Sequence, residues 1–229
     1  MITIKHFFIA SIIIITTALS PQVWADGRAT IISDGSEATI EFSQNQMLRM
    51  DSPDGEGYML LRDSKLYTVI NQGGSMMVFD MAAAMSMMGD QAQSDSFWDN
   101  EIAEIKSFEA TGTQETVAGI KGDVFEMVAL HTDGETVTTE VVVTENQAVA
   151  ELTQAMYAMA EVLIEAVNEA PPAAFNEMKS LVIDRGLGVL RQGDDFSVSA
   201  IDAKAPSAAR FELPAKPMEL PSMGNFGGN

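Results

Sequence analysis

The segment Glu145–Asn168 carries hydrophobic residues at the spacing of an α-helix. The spacing alternates between three and four residues, so these side chains share one stripe of the helix surface. The stripe consists of Val149, Leu152, Met156, Met159, Leu163 and Val167. Thr144 is the expected N-cap, with Gln147 completing a capping box, and Pro171-Pro172 end the helix. A stripe this apolar has to be covered, so we predict that the helix lies at the centre of the fold.

Most of the remaining chain alternates between hydrophobic and polar residues with the period of two that is typical of β-strands. Ala38, Ile40 and Phe42 alternate with charged and hydroxyl residues, among them Glu37 and Glu41. This pattern predicts a strand with one apolar face and one wet face. The other predicted strands include Gly57–Arg62, Lys65–Ile70, Ser75–Phe79, Lys106–Thr111, Asp123–Leu130, Glu135–Val143, Gly188–Gln192, Phe196–Ile201 and Arg210–Leu213.

Turn residues separate these strands at short intervals. Asp34-Gly35, Asp63-Ser64 and Asp133-Gly134 are examples, and such short connections imply antiparallel neighbours. Two shorter helices are predicted, one capped by Asp80 and one over Ala173–Val182. The predicted fold class is therefore α+β, with a curved antiparallel sheet, an incomplete barrel, wrapped around one long helix and shorter helices.

The first 25 residues have the pattern of a secretory signal peptide. Lys5 precedes the apolar run Phe7–Ile15, and Val23-Trp24-Ala25 offers a cleavage site. The run is too short to favour a membrane span, and the absence of cysteine leaves no lipid attachment site. We expect cleavage after Ala25, a periplasmic location without a stable membrane anchor, a single domain over 26–221 and a flexible tail over 222–229.

The charge and the histidine content restrict the chemistry. The formal net charge of the chain is −20, and a surface this acidic repels phosphate backbones, so no nucleic-acid partner is expected. His131, at a predicted hairpin tip, is the sole histidine after residue 25. Asp194-Asp195 are expected in a turn, and Asp51, Asp54 and Glu56 lack the spacing of a calcium loop. We predict a protein that is not an enzyme and that uses no metal or cofactor.

The methionines suggest either a metal or an adaptable apolar surface. Six of the 16 methionines are close in sequence: Met76, Met77, Met81, Met85, Met87 and Met88. Thioethers are soft ligands that suit Cu(I), but copper sites usually recruit histidine or cysteine as well. Methionine also fills irregular apolar space and suits adaptable binding surfaces. The second interpretation is the preferred one.

The segment Thr113–Val128 (TQETVAGIKGDVFEMV) resembles a signature of small exported domains of unassigned function. The order of elements is similar too, with Val141–Thr144 leading into the long helix and Phe211–Pro214 near the end. Those domains resemble the periplasmic lipoprotein carriers and outer-membrane lipoprotein receptors, the LolA/LolB-like half-barrels. The resemblance implies an incomplete barrel that encloses an apolar cavity. No residue matches the carriers' functional positions, so lipoprotein traffic is not inferred.

Three functional hypotheses follow. The first is a soluble periplasmic binding protein that holds an apolar ligand, such as a lipid or acyl chain, or an apolar segment of an envelope protein. Its expected lining is Phe42, Met59, Met77, Phe79, Phe125, Met156 and Met159, and Met81, Met85 and Met88 form its expected lid. The second is a fully packed acidic module that docks an envelope protein partner through its surface. The third is methionine-based copper handling.

Overall fold

The structure is a computed structural model that describes residues 26–43, 46–52, 54–88, 102–166, 171–204 and 206–218. The predicted signal peptide, the predicted tail over 222–229, the segment Gly89–Asn100 and Val167 lie outside these residues. So do the side chains of Met87 and Met88.

The described residues form one antiparallel sheet of eleven strands. The strands are β1 (Gly27–Ser33), β2 (Ser36–Ser43), β3 (Met47–Asp51), β4 (Gly57–Arg62), β5 (Lys65–Gln72), β6 (Ser75–Asp80), β7 (Ile102–Val117), β8 (Ile120–His131), β9 (Thr136–Thr144), β10 (Gly188–Gln192) and β11 (Phe196–Asp202). Their spatial order is β6-β5-β4-β3-β2-β1-β11-β10-β9-β8-β7. The chain thus builds two meanders, which the pairing of β1 with β11 joins.

Within the described ranges, three α-helices accompany the sheet: α1 (Met81–Met88), α2 (Gln147–Ala166) and α3 (Ala173–Leu181). Asp80 caps α1, because the Ala83 N–H donates to its carboxylate at 3.3 Å. The cap of α2 is Asn146 rather than the predicted Thr144. The Val149 N–H donates to Asn146 Oδ1 at 3.3 Å, and the Ala150 N–H donates to its carbonyl. The Thr144 hydroxyl instead donates to the Lys121 carbonyl, which ties the start of the helix to β8.

Two-residue turns fix the register of several hairpins. Ala118 and Gly119 join β7 to β8 with φ angles of 52° and 76°, and Asp34 and Gly35 join β1 to β2 with 49° and 75°. Positive φ at both positions gives a turn whose twist matches that of antiparallel strands. These connections account for the meander that the sequence predicts.

The sheet curves around α2. The central core contains Leu66 of β5 and Val142 of β9, together with Val149 and Leu152 of the helix. In a flat sheet β5 and β9 would lie about 34 Å apart, since neighbouring strands are spaced by about 4.8 Å. A single helix about 10 Å wide can contact both strands only if the sheet bends around it. The predicted fold class is confirmed.

Two further cores lie on the outer face of the sheet. Residues 206–218, which we call the strap, cross β3 to β6, and Phe211 of the strap is buried against Leu60, Val69 and Val78. At the other side of the sheet, α3 and the 3₁₀ turn Ile183–Arg185 cover Met127 and Val141. The outer face is therefore partly shielded rather than uniformly wet.

The strap corrects two predictions. Arg210–Leu213 was predicted as a strand, but Ala208–Phe211 forms a 3₁₀ turn and the residues after it pair with no strand of the described sheet. Glu41 was predicted on a wet face, yet its side chain is only 3% exposed because Arg28 and Arg210 enclose it. In both cases the cause is a contact between distant parts of the chain.

Candidate functional site at the open end of the inner sheet face

Cross-strand register arranges the inner face of β2 to β6 into rows of side chains. The first row, which we call the closed row, consists of Phe42, Leu48, Leu61 and Leu66. All four are at most 2% exposed and belong to the central core. At this end the helix and the sheet are packed together.

The next row is less buried. This middle row consists of Ile40, Met50, Met59, Thr68 and Phe79. Ile40 is 1% exposed, but the other four are only half-buried. Because successive inner-facing positions along a strand lie about 7 Å apart, burial decreases over a short distance.

The third row, which we call the open row, is buried at Ile31 and exposed at Ile70, and its other members are half-buried. It comprises the pair Ile31 and Ala38 and the set Gly57, Ile70 and Met77. Ile70 is 40% exposed, an unusual exposure for an isoleucine on the inner face. Gly57 contributes no side chain to this row. A Cβ atom at its position would clash with the Val69 carbonyl oxygen, which would lie 2.3 Å away. The inner face therefore passes from a packed end to an open end within three rows.

A cleft of about 920 Å³ lies at this open end. Its inner-face lining is drawn from the middle and open rows and includes Ala38, Met50, Met59, Thr68 and Ile70. Its lining also includes Arg28, Glu41 and Arg49, which alternate with these residues along the strands and therefore lie on the outer face. The lining thus combines apolar residues of the inner face with charged residues of the outer face.

The structure brings most of the predicted lining residues onto the inner face. Phe42 lies in the closed row, Met59 and Phe79 in the middle row and Met77 in the open row. Met156 and Met159 of α2 are half-buried against the central core. Met59 is the member of the predicted set that borders the cleft.

Phe125 is not brought together with the other predicted lining residues. It belongs to the core under α3, where its ring stacks on that of Phe108 with 4.6 Å between centroids. Its neighbour Val124 contributes to the central core instead. Because successive residues of a strand face opposite ways, selecting the larger side chain chose the wrong face of β8.

The predicted lid lies on the inner face where its side chains are described. Met81 and Met85 of α1 both pack against the central core, and the Thr68 hydroxyl donates to the Met81 sulfur at 2.9 Å. The side chain of Met88 lies outside the described residues. Helix α1 therefore borders the middle row, next to the cleft.

Sequence reasoning did not select Met50, Ile70 or Ala38 as lining residues. Met50 pairs with both Ile40 and Met59, and Ile70 pairs with Gly57 and Met77. These residues become neighbours only once the hairpin registers are fixed. The turn signals Asp63-Ser64 and Gly73-Gly74 would have given the two registers of Ile70.

Ion pairs fix the charged residues of the lining on the outer face of the sheet. The Arg28 guanidinium donates to Glu41, and Arg210 Nε donates to the other Glu41 oxygen at 2.6 Å. Arg49 Nε donates to Asp51 at 2.8 Å, and its guanidinium lies 3.4 Å from the centre of the Tyr58 ring. Burial acts to raise the pKa of Asp51, but the hydrogen bonds from Arg210 and Arg49 outweigh it and leave the pKa lowered.

Neither a metal site nor a catalytic constellation is found in the described residues. No group of three or more histidine, cysteine or acidic side chains there is arranged to hold a metal ion. His131 lies at the β8–β9 hairpin, where the Gly134 N–H donates to its carbonyl. Burial raises the pKa of the Tyr157 hydroxyl, whose ring packs on Phe175. A phenol whose pKa is raised is a poorer base or nucleophile at neutral pH.

Comparisons with protein-family models, curated proteins and solved structures found no match to this chain. Among the helices in the described ranges, none is both long and apolar enough to cross a membrane.

Proposed function

We propose that this chain is an exported, non-enzymatic binding protein that holds an acyl chain in the cleft at the open end of its inner sheet face. The observation that carries the proposal is the gradient of burial across the three rows. Fully packed side chains give way, within two steps along the strands, to a cleft of about 920 Å³. Ile70 stays 40% exposed above that cleft.

The size and lining of the cleft suit a single apolar chain. Ligand sites in proteins are typically about 300–1,000 Å³ and mostly apolar, with a few polar groups. Met50 and Met59 supply unbranched, polarisable side chains that can repack around ligands of different shape. Met81 and Met85 on α1 extend this adaptable surface toward the central core.

The proposal includes the expected export and family. Cleavage after Ala25 would release a periplasmic protein, and the resemblance of Thr113–Val128 to exported half-barrel domains agrees with that location. The strand order and the curved sheet around α2 support membership of the same group of folds as the lipoprotein carriers. The function proposed here rests on the cleft and not on that resemblance.

An acidic interaction module without a small ligand is the second candidate. The closed row favours it, because Phe42 and Leu48 leave no space between α2 and the sheet at that end. The two candidates differ in what the open end does. A ligand-binding protein should take up an apolar chain there, whereas a packed module should not.

Isothermal titration with dodecyl maltoside, below its critical micelle concentration, tests the proposal. We expect saturable binding of about one molecule, because the cleft holds roughly one chain. Ala38→Trp should abolish this binding by filling the cleft, since Ala38 lies in the open row. Ala110→Trp is the matched control on an exposed position of β7 and should bind like the unmodified protein. A folded wild-type protein that shows no saturable binding would support the interaction module instead.

A further inference from the structure

The inner sheet face brings together methionines that are far apart in the sequence. Met50 of β3 lies directly opposite Met59 of β4, and Met59 lies opposite Thr68 of β5. Side chains that face each other on neighbouring strands have Cβ atoms about 4.5–5.5 Å apart. The Thr68 hydroxyl donates to the Met81 sulfur at 2.9 Å, which brings the first residue of α1 to the same place. Thioethers from two strands and one helix therefore border one part of the middle row.

These three methionines are sheltered but not sealed. Each is half-buried and packs against the central core. Met85 follows one helical turn after Met81 and packs against the same core. Helix α1 contacts both β5 and α2, so it covers this part of the inner face. A small ion can reach the sulfurs here without opening the core beneath them.

The grouping differs from the run of methionines that the sequence singles out. Met76 belongs to that run, but it alternates with Met77, so it lies on the outer face of β6, where it is 44% exposed. Met81 instead joins Met50 and Met59, which come from two earlier strands. The sequence alone favours an adaptable apolar surface over copper, and the fold adds a convergence of sulfurs that sequence spacing cannot show.

We propose that Met50, Met59 and Met81 form a binding site for Cu(I). Thioethers are soft, uncharged ligands, and soft sulfur ligands select Cu(I). They supply no negative charge to offset the dehydration of a divalent ion, and Cu(II) and Zn(II) are better served by nitrogen and oxygen ligands. The chain contains no cysteine, and His131 lies at the β8–β9 hairpin in the other meander. The site therefore depends on thioethers and should distinguish the oxidation states of copper.

Anaerobic titration with Cu(I), in competition with the chromophoric chelator bicinchoninate, measures the stoichiometry and the affinity. We expect about one Cu(I) ion per chain, because the three sulfurs surround one position. An excess of Zn(II) should not displace it. A folded wild-type protein that fails to take Cu(I) from the chelator would overturn the inference, and so would displacement of Cu(I) by Zn(II).

Two triple variants with equal sulfur content locate the site. Met50→Leu, Met59→Leu and Met81→Leu together should abolish competition with the chelator, and leucine nearly conserves the side-chain volume. The matched control replaces Met47, Met76 and Met218 with leucine. These residues lie on the outer face or on the strap and should leave Cu(I) binding unchanged. Equal loss in both triple variants would assign the binding to scattered thioethers and overturn the inference.

Nuclear magnetic resonance of isotope-labelled methionine methyl groups tests the same assignment in the unmodified sequence. Addition of one equivalent of Cu(I) should shift the methyl signals of Met50, Met59 and Met81, since each methyl carbon is bonded to a coordinating sulfur. The signals of Met47, Met76 and Met218 should stay in place. Shifts confined to these other methionines would overturn the inference. This measurement decides the point even if the first triple variant does not fold.

The Cu(I) site does not rest on the proposed function, because it requires the sulfurs and not an acyl chain. Titration with dodecyl maltoside is performed without metal, and titration with Cu(I) is performed without detergent. Failure of the first experiment alone would overturn the acyl-chain proposal, and failure of the second alone would overturn the Cu(I) site.

Discussion

The sequence pattern predicts the position of Glu41 in its strand but does not predict its burial. The alternation of β2 places its side chain on the outer face of the sheet, as predicted. Its burial depends on Arg210, which lies 169 residues later in the chain. Periodicity reports which face a residue occupies, but it cannot report what covers that face.

Glu41→Gln should lower the free energy of unfolding by about 2–3 kcal/mol, because it leaves two arginines without their shared charged partner. The loss should be moderate for a buried ion pair, since the Arg28 side chain is 57% exposed and can turn to solvent. Urea denaturation measures the change. Glu37→Gln, on the same strand but exposed, should change the unfolding free energy by less than about 0.5 kcal/mol. Equal changes in the unfolding free energy of the two variants would show that the buried ion pairs of Glu41 do not stabilise the fold.

The strap shows the same limit at the level of an element. Phe211-Glu212-Leu213 alternates like a strand, yet it adds no strand to the described sheet. Instead Arg49 donates to the Arg210 carbonyl at 3.1 Å and Arg62 donates to the Phe211 carbonyl at 2.9 Å. These bonds hold the segment against the outer face with the Phe211 ring buried beneath it. The arginines that do this belong to β3 and β4, so no local pattern predicts the contact.

Phe211→Ala should lower the free energy of unfolding by about 3–4 kcal/mol, because it removes the aromatic ring that fills the core between the strap and the sheet. Met218→Ala is the matched control within the strap, since Met218 is 47% exposed. It should cost little, and its backbone hydrogen bond to the Val78 carbonyl is retained. Comparable losses in thermal or urea denaturation would mean that the strap is held by its backbone alone.

Helix α2 was predicted almost to its ends, but its environment was not. The predicted stripe accounts for the burial of Val149, Leu152 and Leu163. Thr153 is buried as well, because its hydroxyl donates to the Val149 carbonyl and accepts the Val189 N–H, each at 2.9 Å. A pattern of hydrophobic residues cannot predict that a hydroxyl is buried because it accepts a hydrogen bond from the backbone of β10. The helix is consequently covered over a wider arc than one stripe implies.

At the scale of the whole molecule, local signals predicted strands and hairpins, and one long-range pairing completed the fold. Turn residues at Asp34-Gly35 and Ala118-Gly119 are readable from the sequence. The pairing of β1 with β11 joins residues about 170 positions apart, and nothing local specifies it. The cleft depends on both, since its rows come from local hairpins and its packed end comes from closure around α2.

An open sheet has two edges, and both carry protection in the described structure. At the β6 edge, the Met218 N–H donates to the Val78 carbonyl at 2.8 Å. At the β7 edge, the Ile105 N–H donates to the Glu177 carboxylate of α3 at 2.9 Å. Register shifts interrupt β7 between Ile105 and Ser107 and again between Ala110 and Gln114. Such bulges and side-chain caps prevent a second chain from adding as a strand.

Glu177→Ala should therefore increase self-association. The change leaves the Ile105 N–H at the sheet edge without its carboxylate acceptor, and an unpaired edge N–H is a template for strand addition. Glu177→Gln is the matched control, because it also removes the negative charge but keeps an oxygen that can accept the bond. Sedimentation velocity should show a larger associated fraction for Glu177→Ala than for the glutamine variant or the unmodified protein. Identical profiles for all three, with unchanged circular dichroism, would show that the bulges in β7 protect the edge without Glu177. If both variants associated equally, the lost negative charge would be the cause. Copies that carry less negative charge repel one another less strongly.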